Sequence, residues 1–214
     1  VSKEGEDHTI YFKGPYTMSM TAYAPYTGER GTLAGVIQAS TTSEKQVGTA
    51  RATIDFLYAE GGGSQTNPRV EFQFFHKMSQ LVLAFKAGGG LELDDISYTL
   101  KNIILDGSFD TSAGSVASGK TTGNINMSLA KGKEMNSSVI VFPQKLASTL
   151  LLELAMGGKT YAQPIGNGID LISGNTYIFD VTIAPQSMTV SPAKIEDWIW
   201  GENSDHYVIA GESE

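Results

Sequence analysis

The segment Gly114–Thr121 (GSVASGKT) matches the phosphate-loop pattern G-x-x-x-x-G-K-[ST] at every position. In nucleotide-binding proteins this loop follows a buried strand and opens a helix, whose N-terminal N–H groups bind the phosphates. Here small polar residues precede the segment, and Thr122-Gly123-Asn124 and an alternating strand pattern follow it. The sequence therefore predicts a plain solvated connection at this position and no nucleotide site.

The three histidines, His8, His76 and His206, lie far apart and show no metal-ligand spacing. His76 follows two phenylalanines, which predicts a hydrogen-bonded histidine at a strand end. A G-x-S-x-G nucleophile motif is absent, and nothing in the sequence points to a triad built from distant residues. We therefore predict a non-enzymatic protein with no catalytic, cofactor-binding or metal-binding residues and no cofactor.

The C-terminal stretch Ile195–Trp200 holds both tryptophans, on the same face of a predicted strand. Tryptophan pairs stack on the apolar faces of sugars, but they pack into cores or subunit contacts more often. A second apolar segment, Tyr207–Ala210, lies in an otherwise polar and acidic end of the chain. It has the length of an edge strand that adds to this molecule or to another one.

Alternation of apolar and polar residues dominates the chain, as expected of strands with one buried face. It occurs in Tyr16–Tyr23, Ile54–Tyr58, Val70–Phe74, Ile96–Leu100, Ile125–Leu129, Leu150–Met156 and Tyr177–Ile183. Glycine-rich turns separate these runs, and only Glu44–Ala52 and Phe75–Leu83 have the character of short helices. The sequence predicts an all-β protein.

A small polar stretch, Asp110–Asn124, separates two groups of predicted strands of similar size. A boundary near residue 106 divides the chain into an N-terminal β-sandwich, 1–106, and a C-terminal β-sandwich, 107–214, in tandem with Greek-key-like connections. The alternative is a single sandwich with a long loop at this position.

The chain has 214 residues, with 15 Lys and Arg against 23 Asp and Glu, a formal net charge of −8 and no Cys. Nucleic-acid binding needs clustered Lys and Arg, so the acidic balance excludes that partner. Without Cys there is no disulfide framework, thiolate metal site or Cys nucleophile. The most apolar stretch, Leu146–Met156, is about half a membrane span and contains Glu153, so no transmembrane helix is predicted.

Several fragments, in this order and spacing, resemble the fimbrillin (Mfa-like) family of Bacteroidales surface pili, which includes type V pilus subunits and associated lipoproteins. They are Thr21–Tyr26, Asp55–Ala59, Phe74–Leu81, Phe142–Gln144, Gly174–Tyr177 and Ile195–Trp198. The resemblance implies two β-sandwich domains and assembly with other pilus subunits by strand exchange. In such assembly a protease removes an N-terminal strand, and the groove left behind accepts a strand from the next subunit.

The resemblance also implies a cell-surface location, in the outer membrane or a fimbrium, with membrane attachment only through an N-terminal lipid anchor. The chain begins at Val1. We expect that a signal peptide, a lipidated Cys and the first strands of the N-terminal domain have been lost from it by processing or truncation.

We predict that the C-terminal strand candidate is the donated or exchanged region, because of its Trp pair and its terminal position. The predicted subunit-contact residues are Ile195, Trp198, Trp200, Tyr207, Val208 and Ile209. The alternative function is that of a pilus-tip or surface adhesin that binds a carbohydrate or a host protein, with host or bacterial surface ligands as its partners.

Overall fold

The computed structural model describes Phe12 and residues 15–27, 35–131, 135–147 and 150–199. Strands make up most of this part of the chain, and its helical elements are two short 3₁₀ helices, Ser43–Lys45 and Gly48–Thr53. The predicted all-β class is confirmed, as is helical structure within residues 44–52. Among the described residues, no helix is both long and apolar enough to cross a membrane.

Fifteen strands are present in the described part of the chain. They are β1 Met18–Ala24, β2 Val36–Ser40, β3 Leu57–Gly63, β4 Phe75–His76, β5 Ser79–Ala87, β6 Ile96–Ile104, β7 Asp106–Asp110, β8 Ser115–Ser118, β9 Thr122–Leu129, β10 Asn136–Val141, β11 Leu151–Met156, β12 Lys159–Pro164, β13 Asn175–Ala184, β14 Ser187–Val190 and β15 Lys194–Asp197.

Two sheets enclose the larger hydrophobic core. Sheet C has the order β10-β5-β13-β14, with β15 also paired to β13, and sheet D has the order β12-β11-β6-β9. Strand β6 shows how the sequence produces this layer, because Ile96, Tyr98 and Leu100 are buried while Ser97 between them is exposed. Burying one such large apolar side chain stabilises the fold by roughly 1.5–3 kcal/mol.

A smaller core lies between two three-stranded sheets. Sheet A has the order β1-β3-β4 and sheet B has the order β2-β7-β8. Phe56, just before β3, stacks on Phe109 of β7 with ring centroids 4.8 Å apart, and Tyr58 and Ile140 belong to the same buried cluster. The residues Ile54, Phe56 and Tyr58 thus share a buried side as their alternation predicted, although the strand itself begins at Leu57.

The prediction of a short helix over Phe75–Leu83 is wrong. Residues 79–87 form β5, which pairs with β10 on one side and runs parallel to β13 on the other. Leu81, Val82 and Leu83 are all buried, so both faces of the strand are covered. A strand covered on both faces shows a continuous apolar run instead of alternation, and this run has the appearance of a buried helix.

The predicted strand over Val70–Phe74 is also wrong, because strand pairing begins only at Phe75. The segment nevertheless packs on the glycines of β3. A Cβ atom on Gly61 would lie 2.8 Å from Val70 Cγ1 and 3.0 Å from Phe72 Cε1. Because the glycines of β3 have no side chains, residues 70–74 can pack directly against that strand.

Strand pairing crosses the boundary predicted at residue 106. Strand β2 pairs with β7, and β5 pairs with β10 and β13. The polar stretch that resembled a linker contains β8 and the start of β9. The two cores are therefore interleaved along the chain, and the pairing does not support a tandem division into 1–106 and 107–214. The Greek-key connections and the loss of N-terminal strands remain predictions.

Candidate functional site

The segment that matches the phosphate-loop pattern forms part of a β-hairpin. It begins at the turn between β7 and β8, and β9 follows it directly, where a nucleotide site would need a helix. Gly114 has φ +61°, and a Cβ there would lie 2.3 Å from the ring of Tyr58. Asp106 Oδ1 accepts a hydrogen bond from Thr121 N at 2.8 Å. The prediction of a plain solvated connection is therefore wrong for Ser115–Ser118, which form strand β8 paired with β7. The glycines and the polar groups of this segment have structural roles.

His76 lies in β4, at the edge of sheet A, and its side chain is buried. Its Nδ1 atom lies 2.7 Å from Asp55 Oδ1, within hydrogen-bond distance. This confirms the prediction of a hydrogen-bonded histidine at a strand end. The other two histidines, His8 and His206, lie outside the described residues.

Trp198 covers the imidazole of His76. The two rings are stacked, with centroids 3.9 Å apart and planes inclined by 4°. Trp198 N donates a hydrogen bond to Gly174 O at 2.7 Å, which continues the β13–β15 pairing by one residue. Trp198 also packs against the smaller hydrophobic core. The chain that leaves β15 is thereby attached to sheet A as well as to sheet C.

An open groove of about 1020 Å³ lies beside this stack, and we call it the β4–β15 groove. Its apolar lining includes Phe72, Phe74, Phe75, Trp198 and Ile199. Phe75 is 56% exposed and Ile199 is 47% exposed, so both present apolar surface to solvent. Large exposed apolar side chains gathered in one groove indicate a contact surface.

Polar groups occur around the same groove. Gln73, Lys77, Asn175 and Asp197 contribute to its lining. The Lys77 Nζ atom lies 5.3 Å from the centroid of the Tyr58 ring. In the described part of the chain, no cluster of three His, Asp or Glu side chains is arranged to hold a metal ion. The groove therefore offers apolar contacts and hydrogen bonding.

Residues of two strands line the groove, Phe75 and His76 of β4 and Asp197 of β15. Among the described residues, β4 pairs only with β3 and β15 pairs only with β13. Neither strand has a second described strand beside it. An extended segment that pairs along such a strand forms backbone hydrogen bonds with it while its side chains fill apolar pockets. The arrangement is suited to binding a strand.

The structure places two of the six predicted subunit-contact residues. Ile195 lies in β15 opposite Tyr177 and is 55% exposed, and Trp198 lies one residue beyond β15. Trp200, Tyr207, Val208 and Ile209 lie outside the described residues. Sequence reasoning missed Asp55 and Phe75 at this site, and it did not connect His76 with Trp198. On the side of the groove formed by Phe72 and Phe74, the alternation of residues 70–74 was the one sequence signal.

Comparison with known proteins gives matches over nearly the whole chain. A family model described as fimbrillin-like matches residues 2–198. A curated relative from Bacteroides uniformis, described as a fimbrium subunit (Fim1C), is 26% identical over 209 residues, which are 92% of this chain and 67% of the relative. The region matched by the family model includes every strand described above.

Two crystal structures of similar proteins show the same fold. One, described as a cell adhesion protein from Bacteroides ovatus, is 34% identical with a TM-score of 0.83, over 93% of this chain and 74% of that one. The other, also described as a cell adhesion protein and from Bacteroides uniformis, is 25% identical with a TM-score of 0.74, over 90% of this chain and 77% of that one.

Proposed function

The chain belongs to the fimbrillin-like family, and on this premise we propose that it is a non-enzymatic structural subunit of cell-surface pili that polymerises by β-strand exchange. The relatives support the surface role, since one is described as a fimbrium subunit and another as a cell adhesion protein. The lipid anchor, the outer-membrane location and N-terminal processing belong to the same proposal.

One observation carries the proposal. In the described part of the chain, β15 pairs only with β13, and its residue Asp197 lines the aromatic β4–β15 groove together with Phe75 and His76 of β4. Ile195 in the same strand is 55% exposed, so β15 presents an apolar side chain that a neighbouring subunit can cover. A head-to-tail contact that does not close on itself repeats into a filament, which is the assembly a pilus requires.

We assign the donated or exchanged region to residues 195–210, including Trp200, Tyr207, Val208 and Ile209. Deletion of residues 201–214 tests this assignment. We expect the deletion to abolish polymerisation in cells and to leave the purified monomer folded, with the strand-rich circular dichroism spectrum and cooperative unfolding of the full chain. Pili of unchanged number and length in the deletion strain would refute the assignment.

The exposed Phe75 favours a second candidate, an adhesin that binds a carbohydrate in the groove. An aromatic ring with amide and carboxylate groups close by is a common arrangement for sugar stacking and hydrogen bonding. A glycan array probed with the purified protein, and with Phe75→Ala beside it, tests this function. Binding that disappears in Phe75→Ala supports the adhesin, and an array without any bound glycan counts against it.

A further inference from the structure

Strand β10 forms one side of sheet C, and in the described part of the chain it pairs only with β5. Phe85 N donates to Met135 O at 2.8 Å, which sets the alternation of the pairing. In an antiparallel pair, the backbone N–H and C=O groups of successive residues point alternately toward the partner strand and away from it. The groups of residues 136, 138 and 140 therefore point away from β5 and form the outer edge of the sheet.

The Gln46 side chain occupies this edge at Ile140. Gln46 Nε2 donates to Ile140 O at 2.9 Å, and Ile140 N donates to Gln46 Oε1 at 2.8 Å. The carboxamide thus forms the same pair of bonds that a residue of a neighbouring strand would form. Gln46 Nε2 also donates to Thr41 O at 2.9 Å, and the side chain is buried with 2% exposure.

Arg51 occupies the next outward position. Its Nη1 atom donates to Ser138 O at 2.6 Å, and its Nη2 atom donates to Ser138 Oγ at 2.9 Å. Gln46 and Arg51 both come from the segment of the two 3₁₀ helices. Two of the three outward positions of β10 are therefore held by side chains from this one segment.

The sequence of β10, Asn-Ser-Ser-Val-Ile-Val, contains no charged residue and no proline. Edge strands usually carry such residues, because they prevent pairing with a second molecule. An uncharged edge of this kind pairs readily with its own copy, antiparallel about a two-fold axis. Protection of β10 has to come from outside the strand.

We propose that Gln46 and Arg51 form an edge plug, which keeps β10 from pairing with the β10 of a second copy. The edge plug rests on the proposed function in one respect. Ordered strand exchange requires that a strand from another subunit does not pair with sheet edges outside the exchange site. Its physical basis is independent of pilus assembly, because it depends only on hydrogen bonds within the monomer.

The test is the solution mass of the double variant Gln46→Ala/Arg51→Ala, measured by light scattering after size-exclusion chromatography. We expect wild type at the monomer mass of 22.9 kDa, and we expect the double variant to form a species of twice that mass whose proportion rises with concentration. Addition of Ser138→Pro should restore the monomer, because it removes an outward N–H group from the edge.

Gln144→Ala is the matched control. Gln144 is also buried and also bonds both backbone groups of one residue, with Ile104 N donating to Oε1 at 2.8 Å and Nε2 donating to Ile104 O at 3.0 Å. Ile104 lies at the end of β6, where it pairs with Thr122 of β9, and β11 occupies the other side of the strand along Ile96–Lys101, so loss of Gln144 does not open a whole strand edge. This variant should lose a similar amount of stability and remain a monomer.

Three results would overturn the edge plug: a folded double variant at the wild-type mass at every concentration, equal dimerisation of Gln144→Ala, or dimers that persist with Ser138→Pro. If the double variant does not fold, Gln46→Ala with and without Ser138→Pro gives the same comparison. The solution mass of the purified variants tests the edge plug alone, whereas pilus formation by the 201–214 deletion strain tests the proposed function. A negative result for one proposal therefore does not decide the other.

Discussion

The imidazole of His76 lies parallel to the indole of Trp198, with ring centroids 3.9 Å apart, while Asp55 holds the other side of the histidine through Nδ1 at 2.7 Å. The stack joins the edge of sheet A to the residue that follows β15. The end of β15 is therefore held beside the groove by this stack as well as by its pairing with β13.

Replacement of Trp198 by alanine should lower the free energy of unfolding by about 2 kcal/mol, because it removes the ring stack and the packing against the smaller core. Urea unfolding followed by circular dichroism measures this change. Ile195→Ala is the control, since Ile195 is 55% exposed in the adjacent strand and should change the free energy by less than about 0.5 kcal/mol. Equal effects of the two substitutions would show that the stack does not stabilise the fold.

Gly114→Ala should destabilise the protein far more than Gly157→Ala. Both glycines have positive φ, +61° and +56°, so both substitutions carry the same backbone strain of about 1 kcal/mol. At Gly114 the new Cβ also meets the Tyr58 ring at 2.3 Å, whereas at Gly157 nothing lies within 4 Å. We expect a further loss of roughly 1–3 kcal/mol at Gly114 from the overlap, measured by thermal unfolding. Similar melting temperatures for the two variants would contradict the packing of Gly114 on Tyr58.

Millimolar Mg-ATP should leave the melting temperature of the protein unchanged. A ligand that binds the folded state at 100 times its Kd stabilises it by about 2.7 kcal/mol, which differential scanning fluorimetry detects easily. Residues 114–121 form a hairpin without a following helix, so this binding energy is not expected. A clear rise in melting temperature that disappears in Lys120→Ala would reinstate nucleotide binding.

The stability of the protein should fall in alkali because of Tyr98. Burial raises the pKa of Tyr98 well above its ordinary value, and its hydroxyl is hydrogen-bonded to Ser137 Oγ at 2.7 Å. Above pH ~10 the unfolded chain releases this proton while the folded protein keeps it, so the free energy of unfolding falls by up to ~1.4 kcal/mol per pH unit. Below that pH this contribution is fully present.

Tyr98→Phe should remove this part of the alkaline decline, at a cost of about 1 kcal/mol at neutral pH for the lost hydrogen bond. Urea unfolding between pH 8 and pH 11.5 compares the two proteins. Tyr16→Phe serves as the control, since Tyr16 is 83% exposed and its substitution should leave the decline unchanged. Parallel pH profiles for wild type and Tyr98→Phe would contradict the prediction.

Local pattern predicted the strands with one exposed face. The runs Ile96–Leu100, Ile125–Leu129 and Tyr177–Ile183 all lie in strands. Their residues alternate in type because one face of each strand packs into the core while the other face is less buried. Strand β5 was mistaken for a helix, since neighbours on both sides and burial on both faces remove the alternation. Such burial is decided by distant parts of the chain.

The candidate site was predictable only in part. Ile195 and Trp198 were identified from their types and their terminal position, but His76 and Phe75, which line the groove with Trp198, come from a distant segment. Strand pairing does not support the predicted domain boundary for a similar reason, since the small polar residues after Asp106 form a paired hairpin whose partner strand, β2, lies far upstream. Composition records local preference, whereas strand pairing depends on contacts that no local window contains.

The parallel pairing of β5 with β13 also determines the order in which the molecule can fold. Gln80 through Ala87 lie opposite Thr176 through Ile183, so the central pair of sheet C joins segments from the two halves of the chain. Pairs with such long sequence separation close late and give slow folding, because the intervening loop must first be ordered. During synthesis the apolar β5 therefore remains without its partner β13 until Asn175–Ala184 emerges. Until then one side of β5 lacks its native cover, a condition that favours aggregation of folding intermediates.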